Sequence, residues 1–298
     1  MLYYLTAARQ AATMAFFLAS WGKALHERVR IYSYEALAGG VEFPIRDGVY
    51  IFAALDGGLG SRRPPSAQRE MATALHAQLA QIVGPHKVLN HPLHSLGRYA
   101  LLKALYQRGI NGFSGYRLDE RPGPHRFPVF VRKEISSGSV EPALLGSGEY
   151  GDLSSAAAAG DETQVAIEFC DTADGNGVYR KYGAVVLGGE VVPRHLFRSR
   201  SWFVKQADLD GAEWMAEELA YLESDGHAAV MREVCRIANI GYGRIDYSLL
   251  DGRPQIWEIN HTPELAFADT SWAADPRAPV HRRFTELFTS ALDRLERT

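Results

Sequence analysis

The chain has 298 residues, 46% of them hydrophobic, and a formal net charge of -3, enough to bury the core of one large domain or of two to three smaller ones. Its near-neutral balance argues against a nucleic-acid polyanion or an acidic membrane as partner. Two cysteines, Cys170 and Cys235, argue against a disulfide framework or a zinc site and fit a reducing, cytoplasmic setting.

Residues 12–28 read as a helix with Phe16, Phe17, Leu18 and Trp21 on its apolar side. The apolar run Ala11 to Trp21 is too short to span a bilayer. Polar Gly22-Lys23 stands in place of a clear signal-peptide cleavage site, so this helix is expected to pack on the protein body. Val49 to Leu55 (VYIFAAL) is a continuous apolar run, the pattern of a buried parallel strand. The glycine loop Asp56 to Gly60 follows, but Ser-Arg-Arg-Pro-Pro comes next where a dinucleotide fingerprint needs a helix start. Ser66 can cap a helix from Ala67 to Val83, and Lys87 to Asn90 is then a short strand. Strand, helix, strand at this spacing predicts an α/β layer.

Arg98 to Gln107 reads as a helix with Leu101, Leu102 and Leu105 inward, ended by Gly109. Phe127 to Arg132 (FPVFVR) is a strand that runs into Lys133-Glu134-Ile135 and the small residues Ser136-Ser137-Gly138-Ser139. Those can form an anion nest or an ordinary hairpin loop. Residues 152–159 read as a short helix and Gln164 to Cys170 as a strand. Asp171 to Gly177 lacks the alternating ligands and closing glutamate of a calcium loop and reads as a turn. Val178 to Val192 is a hairpin around Gly188-Gly189, carrying Arg180 and Lys181. Arg194, His195, Arg198 and Arg200 then crowd together before Trp202 and Lys205. A solvated basic face is the ordinary reading of such a run. Inside an apolar and aromatic segment, it also suits a polyphosphate. A helix to about Glu223 follows Asp210, and Gly226 to Asn239 is another, burying Val230, Met231, Val234, Cys235 and Ala238. Arg277 to Thr298 closes the chain with an amphipathic helix carrying Phe284, Leu287, Phe288, Ala291 and Leu295.

Between these last helices lies Gly241 to Pro263, GYGRIDYSLLDGRPQIWEINHTP. An Asp-Gly signal between two apolar runs reads as a β-hairpin. Glu258 and Asn260 are two apart on one strand and share a face. A three-residue loop pairing Leu250 with Pro254 would set Asp246 opposite Glu258, with Cβ atoms about 5 Å apart. A two-residue loop would put Asp246 on the opposite face. An odd loop or a bulge is therefore expected. Two carboxylates and an amide oxygen on one face favour Mg²⁺. A half-buried hairpin with its acids facing water is the alternative on this stretch alone.

Together these pieces resemble the ATP-grasp superfamily. VLNHP followed by Arg98 resembles the segment before the family's first phosphate-binding cation. FPVFVRKEISSGS resembles the strand Pro-Val-x-Val-Lys and its Gly/Ser-rich flap. VAIEFC resembles the hinge strand that holds adenine. GRIDYSLLDGRPQIWEINHTP resembles Arg-x-Asp, a hairpin and Glu-x-Asn-x-x-Pro, the metal signature and the most specific of the matches. The resemblance covers about residues 88 to 265. It implies an α/β fold with α+β subdomains: an N-terminal α/β domain at 1–92, a central subdomain with flap at 93–170, and a C-terminal subdomain with the metal site at 171–298.

The resemblance further implies ATP between the subdomains, with adenine near Glu168 and Phe169, and the flap residues Ser137 and Gly138 over the phosphates. Arg98 and Arg132 fill the two phosphate-binding cation positions, and Asp246, Glu258 and Asn260 hold Mg²⁺, expected as two ions that Mn²⁺ can replace. Arg244 matches the arginine that stabilises the phosphorylated intermediate in many family ligases. Some positions depart from the pattern. Arg132 stands where lysine is usual. Lys133, counted with the ATP-binding set, should point away from the phosphates unless its strand is bulged. The usual second-hairpin arginine falls near Gly183, and Lys181 or Arg194 can serve instead. His195, beside Arg194, reads as packed or solvent-facing and stays outside the catalytic pair Arg244 and Arg194. The implied activity is an ATP-dependent carboxylate–amine ligase acting through an acyl phosphate. Its substrates would be small-molecule or peptide carboxylates and amines, and a homodimer is compatible. A small-molecule kinase and a non-catalytic nucleotide-binding protein are the alternatives.

Overall fold

Five apolar or aromatic residues open the chain, and they form the centre of its first sheet. The computed structural model describes residues 1–53, 66–134, 140–157, 160, 163–209, 211–266 and 275–298. Strand β1 (Leu2–Thr6) is buried throughout and pairs in parallel with β2 (Val29–Ser33) and β3 (Val49–Phe52). β4 (Val88–Leu89) adds to β3, giving the parallel order β2-β1-β3-β4. β1 and β2 are strands that the sequence reading passed over. The expected helix 12–28 is also shorter. Helix α1 (Ala11–Ala19) stops where the chain reverses, because Gly22 folds back against Phe17, whose ring would stand 2.5 Å from a Cβ there. A 3-10 turn, Lys23–Arg28, carries the chain into β2. The short helix α2 (Tyr34–Ala38) and helix α3 (Ser66–Val83) complete this layer. The glycine loop at 56–60 lies outside the described residues.

Helix α4 (Arg98–Gln107) has the expected bounds, with Leu101, Leu102 and Leu105 buried. A three-stranded antiparallel sheet follows, in the order β5 (Gly115–Tyr116), β7 (Gln164–Glu168), β6 (Val129–Lys133). Helix α5 (Ser147–Ala156) starts five residues ahead of the expected 152, because Glu149 reaches back to accept from the Gly146 N–H. The large antiparallel sheet has the order β11-β10-β8-β9, built from β8 (Tyr179–Leu187), β9 (Glu190–Ser199), β10 (Tyr242–Leu250) and β11 (Arg253–Asn260). Helices α6 (Ala212–Leu222) and α7 (Ala228–Ala238) precede β10, and α8 (Ala278–Arg297) ends the chain. The architecture is mixed α/β, as expected.

One core joins Leu2, Tyr4 and Ile51 of the parallel sheet to Val185 and Tyr242 of the large sheet and to Phe284 and Phe288 of α8. Two asparagines pin the large hairpin from either side. Asn90 donates to the Tyr242 carbonyl and accepts from the N–H groups of Gly241 and Tyr242. Asn111 donates to the Ile256 carbonyl and accepts from its N–H, at 2.8 Å each. Among the described residues, no helix is long and apolar enough to cross a membrane.

Candidate active site

The hairpin that carries Asp246 and Glu258 turns at Asp251-Gly252, both with positive φ (50° and 75°), and Leu250 pairs with Arg253. This is a two-residue turn, the tight form that Asp-Gly favours. The pairing runs regularly to Tyr247 opposite Ile256 and then shifts, so that Asp246 faces Glu258 and Trp257 is the extra residue. A bulge, and not a three-residue loop, restores the parity. In a bulge two residues oppose one, and here both Trp257 and Glu258 line the same cleft as Asp246. Arg244 pairs with Asn260 one step further along, placing both on the face of Asp246 and Glu258.

Each carboxylate is met by an arginine. Arg244 grips Asp246 through two bonds, Nε to Oδ1 at 2.6 Å and Nη2 to Oδ2 at 2.9 Å. Arg98 Nη2 donates to Glu258 Oε2 at 2.6 Å, and its Nη1 donates to the Lys133 carbonyl. Burial alone would raise the Glu258 carboxyl, but Arg98, Lys205 and Lys181 outweigh it and hold it at about 2. Burial also works against the Arg244 guanidinium, yet Asp246, Glu258 and Glu264 raise it above its ordinary value. Asn260 Oδ1 accepts from the Thr262 N–H at 3.1 Å.

Arg98, Asp246 and Glu258 border an open cleft. Phe130, Ile167, Trp202, Phe203, Val204 and Trp257 form its apolar walls. Trp202 contacts Phe130 and Phe169 at ring distances of 5.0 and 5.4 Å, and Trp257 stacks on Phe113 at 4.7 Å. The polar end gathers Arg98, Arg132, Lys181 and Lys205 around Asp246 and Glu258. Crowding of like charge in a half-buried place lowers the pKa of a cation. Burial first, then Arg98, lowers Arg132 against the pull of Glu258. Burial likewise lowers Lys181, with Arg244 and Arg132 adding to it and Asp246 and Glu258 opposing. Lys205 is pushed down to about 8 by burial, Arg132 and Lys181.

No sequence-family model matches the chain, and no characterised protein matches it in sequence. Solved structures do. D-alanine–D-alanine ligase from Bacillus anthracis, in complex with ATP, superposes with a TM-score of 0.52 at 12% identity, over 100% of this chain and 99% of that one. The ATP-grasp ligase PsnB, complexed with its minimal precursor, superposes with a TM-score of 0.54 at 12% identity, over 97% and 98%. The chain has an ATP-grasp fold.

On this fold Arg98, Arg132, Lys181, Asp246 and Glu258 share the cleft, with Arg244 and Asn260 beside them. Other expected residues do not come to it. Arg194 is fully buried: Nη2 donates to the Leu265 carbonyl at 2.9 Å, sits 3.1 Å from His281 Nδ1, and the guanidinium lies over Phe284. It is the extra residue of a second bulge, in β9, and faces the buried side of α8. The Lys133 side chain is exposed and only its carbonyl is used, because β6 is regular there. Glu168 is buried and taken up by the N–H groups of Ser114, His125 and Arg126, the Tyr116 hydroxyl and the Arg126 guanidinium. Phe169 stands behind Trp202, outside the cleft lining. Ser137 and Gly138 lie outside the described residues.

The basic run around Arg194 also disperses. Arg198 is buried on the other face, bound to Glu217 at 3.0 Å and to the Trp214 carbonyl, while Arg200 donates to the Asn176 carbonyl. Lys205, beyond the run, lines the cleft. Its signal was a lysine placed directly after the apolar stretch Trp202-Phe203-Val204.

Proposed function

We propose that this chain is an ATP-dependent ligase that joins a carboxylate to an amine through an acyl phosphate, with Mg²⁺. One observation carries the reading: an aromatic slot leads into four cations, and these converge on two carboxylates that a bulge sets side by side. The fold's neighbours include ligases, one in complex with ATP and one with its minimal precursor, which supports the reaction class and substrates of small-molecule or precursor type. In this reading adenine enters the slot between Phe130, Trp202 and Trp257. Arg98, Arg132, Lys181 and Lys205 take the phosphates.

Asp246, Glu258 and Asn260 are oxygen donors on one face, a set that fits Mg²⁺, as one ion or two, with Mn²⁺ as a substitute. An ion held there would supply charge neutralisation for the phosphoryl transfer. Arg98 and Arg244, which hold the two carboxylates, then turn to phosphate oxygens, which suit a planar guanidinium equally well. A carboxylate oxygen of the substrate attacks the γ-phosphorus and the bond to ADP breaks. An amine attacks the carbonyl carbon, loses a proton, and inorganic phosphate leaves. The protein needs no covalent nucleophile for this. It needs alignment and cancelled charge. Arg244, beside Asp246, is assigned to the charge of the transferred phosphoryl.

Hydroxylamine tests the reading. Incubation with Mg-ATP and a panel of carboxylates should release ADP and trap a hydroxamate. ADP release stimulated by a carboxylate without any hydroxamate would refute the acyl phosphate and send the phosphoryl to a hydroxyl instead.

A further inference from the structure

The two bulges of the large sheet stand at one level. Trp257 is extra opposite Asp246, Arg194 is extra opposite Gly183, and Asp246 and Gly183 pair with each other across β10 and β8. The residue after Arg194 is His195, which takes the register position opposite Gly183. Its ring is 1% exposed and stacks on Phe197, with centroids 4.0 Å apart and planes at 11°. A Cβ on Gly183 would stand 2.6 Å from Nε2 and 2.8 Å from Nδ1, with Cε1 nearest. The imidazole therefore lays its nitrogen-bearing edge across Gly183, toward β10 and Asp246. Glycine at 183 leaves room for that ring.

Neither ring nitrogen of His195 has a hydrogen-bond partner among the described residues. Leaving buried polar atoms unpaired is costly, and such atoms call for an explanation. The surroundings name the kind of partner. Lys181 lines the cleft next to this position, and Arg244 flanks Asp246. Burial, then the charges of Arg244, Lys181, Arg194 and Arg277, keep the ring neutral. A neutral imidazole carries one N–H donor, and a donor among cations suits an anionic oxygen.

We infer that His195 donates a hydrogen bond to an oxygen of the phosphoryl group that ATP transfers, over Gly183 and between Lys181 and Arg244. This rests on the Mg-ATP reading above. It makes His195 a contact of the moving group and not of the base, the ribose or the ADP phosphates.

Calorimetry with Mg-ADP, and with Mg-ADP plus beryllium fluoride as a mimic of the terminal phosphoryl, separates the two claims. The wild-type chain should bind Mg-ADP and gain affinity with fluoride. His195→Phe fills the same slab on Phe197, so Mg-ADP affinity should stay within about twofold. The fluoride-dependent gain should fall about tenfold or more, the scale of one lost bond to a charged group. His195→Gln keeps a donor and should recover part of the gain. A His195→Phe chain that keeps the whole gain overturns the inference and leaves His195 a space-filling residue. Nitrogen-15 spectra of histidine-labelled wild-type chain need no stable Phe variant. The His195 ring signal, assigned from the Gln variant, should move when beryllium fluoride joins Mg-ADP, and a signal that stays put also overturns it. Failure of the wild-type chain to bind Mg-ADP would instead overturn the nucleotide reading, and this inference with it.

Discussion

Raising the pH should weaken nucleotide binding through Lys205. Its ammonium is pushed down to about 8, with burial the largest cause and Arg132 and Lys181 adding to it, against the pull of Glu258 and Asp246. A lowered pKa means the charge is present at pH 7 and is lost as pH rises through 8. A bound polyphosphate favours the charged form and restores the ordinary value near 10.4. Between pH 7 and pH 9 the protonated fraction before binding falls from about nine-tenths to about one-tenth, while the bound form stays protonated. Affinity for the non-hydrolysable Mg-AMPPNP should therefore drop about tenfold over that interval. Calorimetry at fixed ionic strength reads it directly. Lys205→Arg keeps its charge throughout, so its profile should be flatter than that of the wild-type chain. Lys181, also lowered by burial, can leave a residual slope that Lys181→Arg removes. A wild-type affinity that is constant from pH 7 to pH 9, or a Lys205→Arg profile with the same slope, would refute the reasoning.

Four further outcomes follow from the placements of individual side chains. Asp246→Asn and Glu258→Gln should each lower Mg-ATP turnover by about a hundredfold or more, as expected for lost charge stabilisation in transfer, and should weaken Mn²⁺ binding followed by electron paramagnetic resonance. Normal turnover in both would remove the metal assignment. Arg244→Ala should lower kcat more than ATP affinity, because charge on the moving phosphoryl develops during transfer; steady-state kinetics showing normal kcat with weak ATP binding would reverse that role. Arg194→Met should cost about 1 kcal/mol in urea unfolding, the lost bond to the Leu265 carbonyl being partly offset by removal of a charge that burial disfavours. Its Mg-ADP affinity should be nearly unchanged, and a folded variant with tenfold weaker binding would return Arg194 to the site. Glu168→Gln should lower stability by about 2 kcal/mol through the weakened bonds to Arg126 and the neighbouring N–H groups, with unfolding curves as the check.

The hairpins and amphipathic helices were legible because they advertise themselves locally. Gly188-Gly189 and Asp251-Gly252 mark the turns, and α4, α7 and α8 repeat apolar residues at helical spacing. Strand β1 was not legible. Leu2–Thr6 shows no alternation, and the longer apolar run beyond it draws attention away. The site divided in the same manner. Asp246, Glu258 and Asn260 follow from period-two spacing plus one parity correction. The Arg194 to Arg200 run misled because counting cations ignores which face each occupies. On β9, Phe197 turns toward Lys181 while Arg198 turns to Glu217 on the other side. Glu168 misled for a related reason. It stands at the end of β7, but five neighbouring donors close on it, and nothing in QVAIEFC announces a loop about 40 residues upstream.

The bulge in β11 reconciles two demands that conflict in a regular hairpin. Asp-Gly favours a two-residue turn, whose twist matches that of the strands it joins. Continued without interruption, that register would set Asp246 opposite Trp257 and leave Glu258 opposite Ile245, which is buried in the core on the other face. The inserted residue moves Glu258 one place and brings it beside Asp246. A bulge disrupts the ladder and needs bracing, and the bracing is present. Asn111 holds both backbone groups of Ile256 immediately before it. Trp257 itself donates from Nε1 to Ser248 Oγ at 2.9 Å and stacks on Phe113. The residue that corrects the parity thus also forms a wall of the cleft. Turn chemistry, carboxylate alignment and the aromatic slot are therefore coupled through one position, which explains why the acids can sit together on a hairpin whose turn alone would separate them.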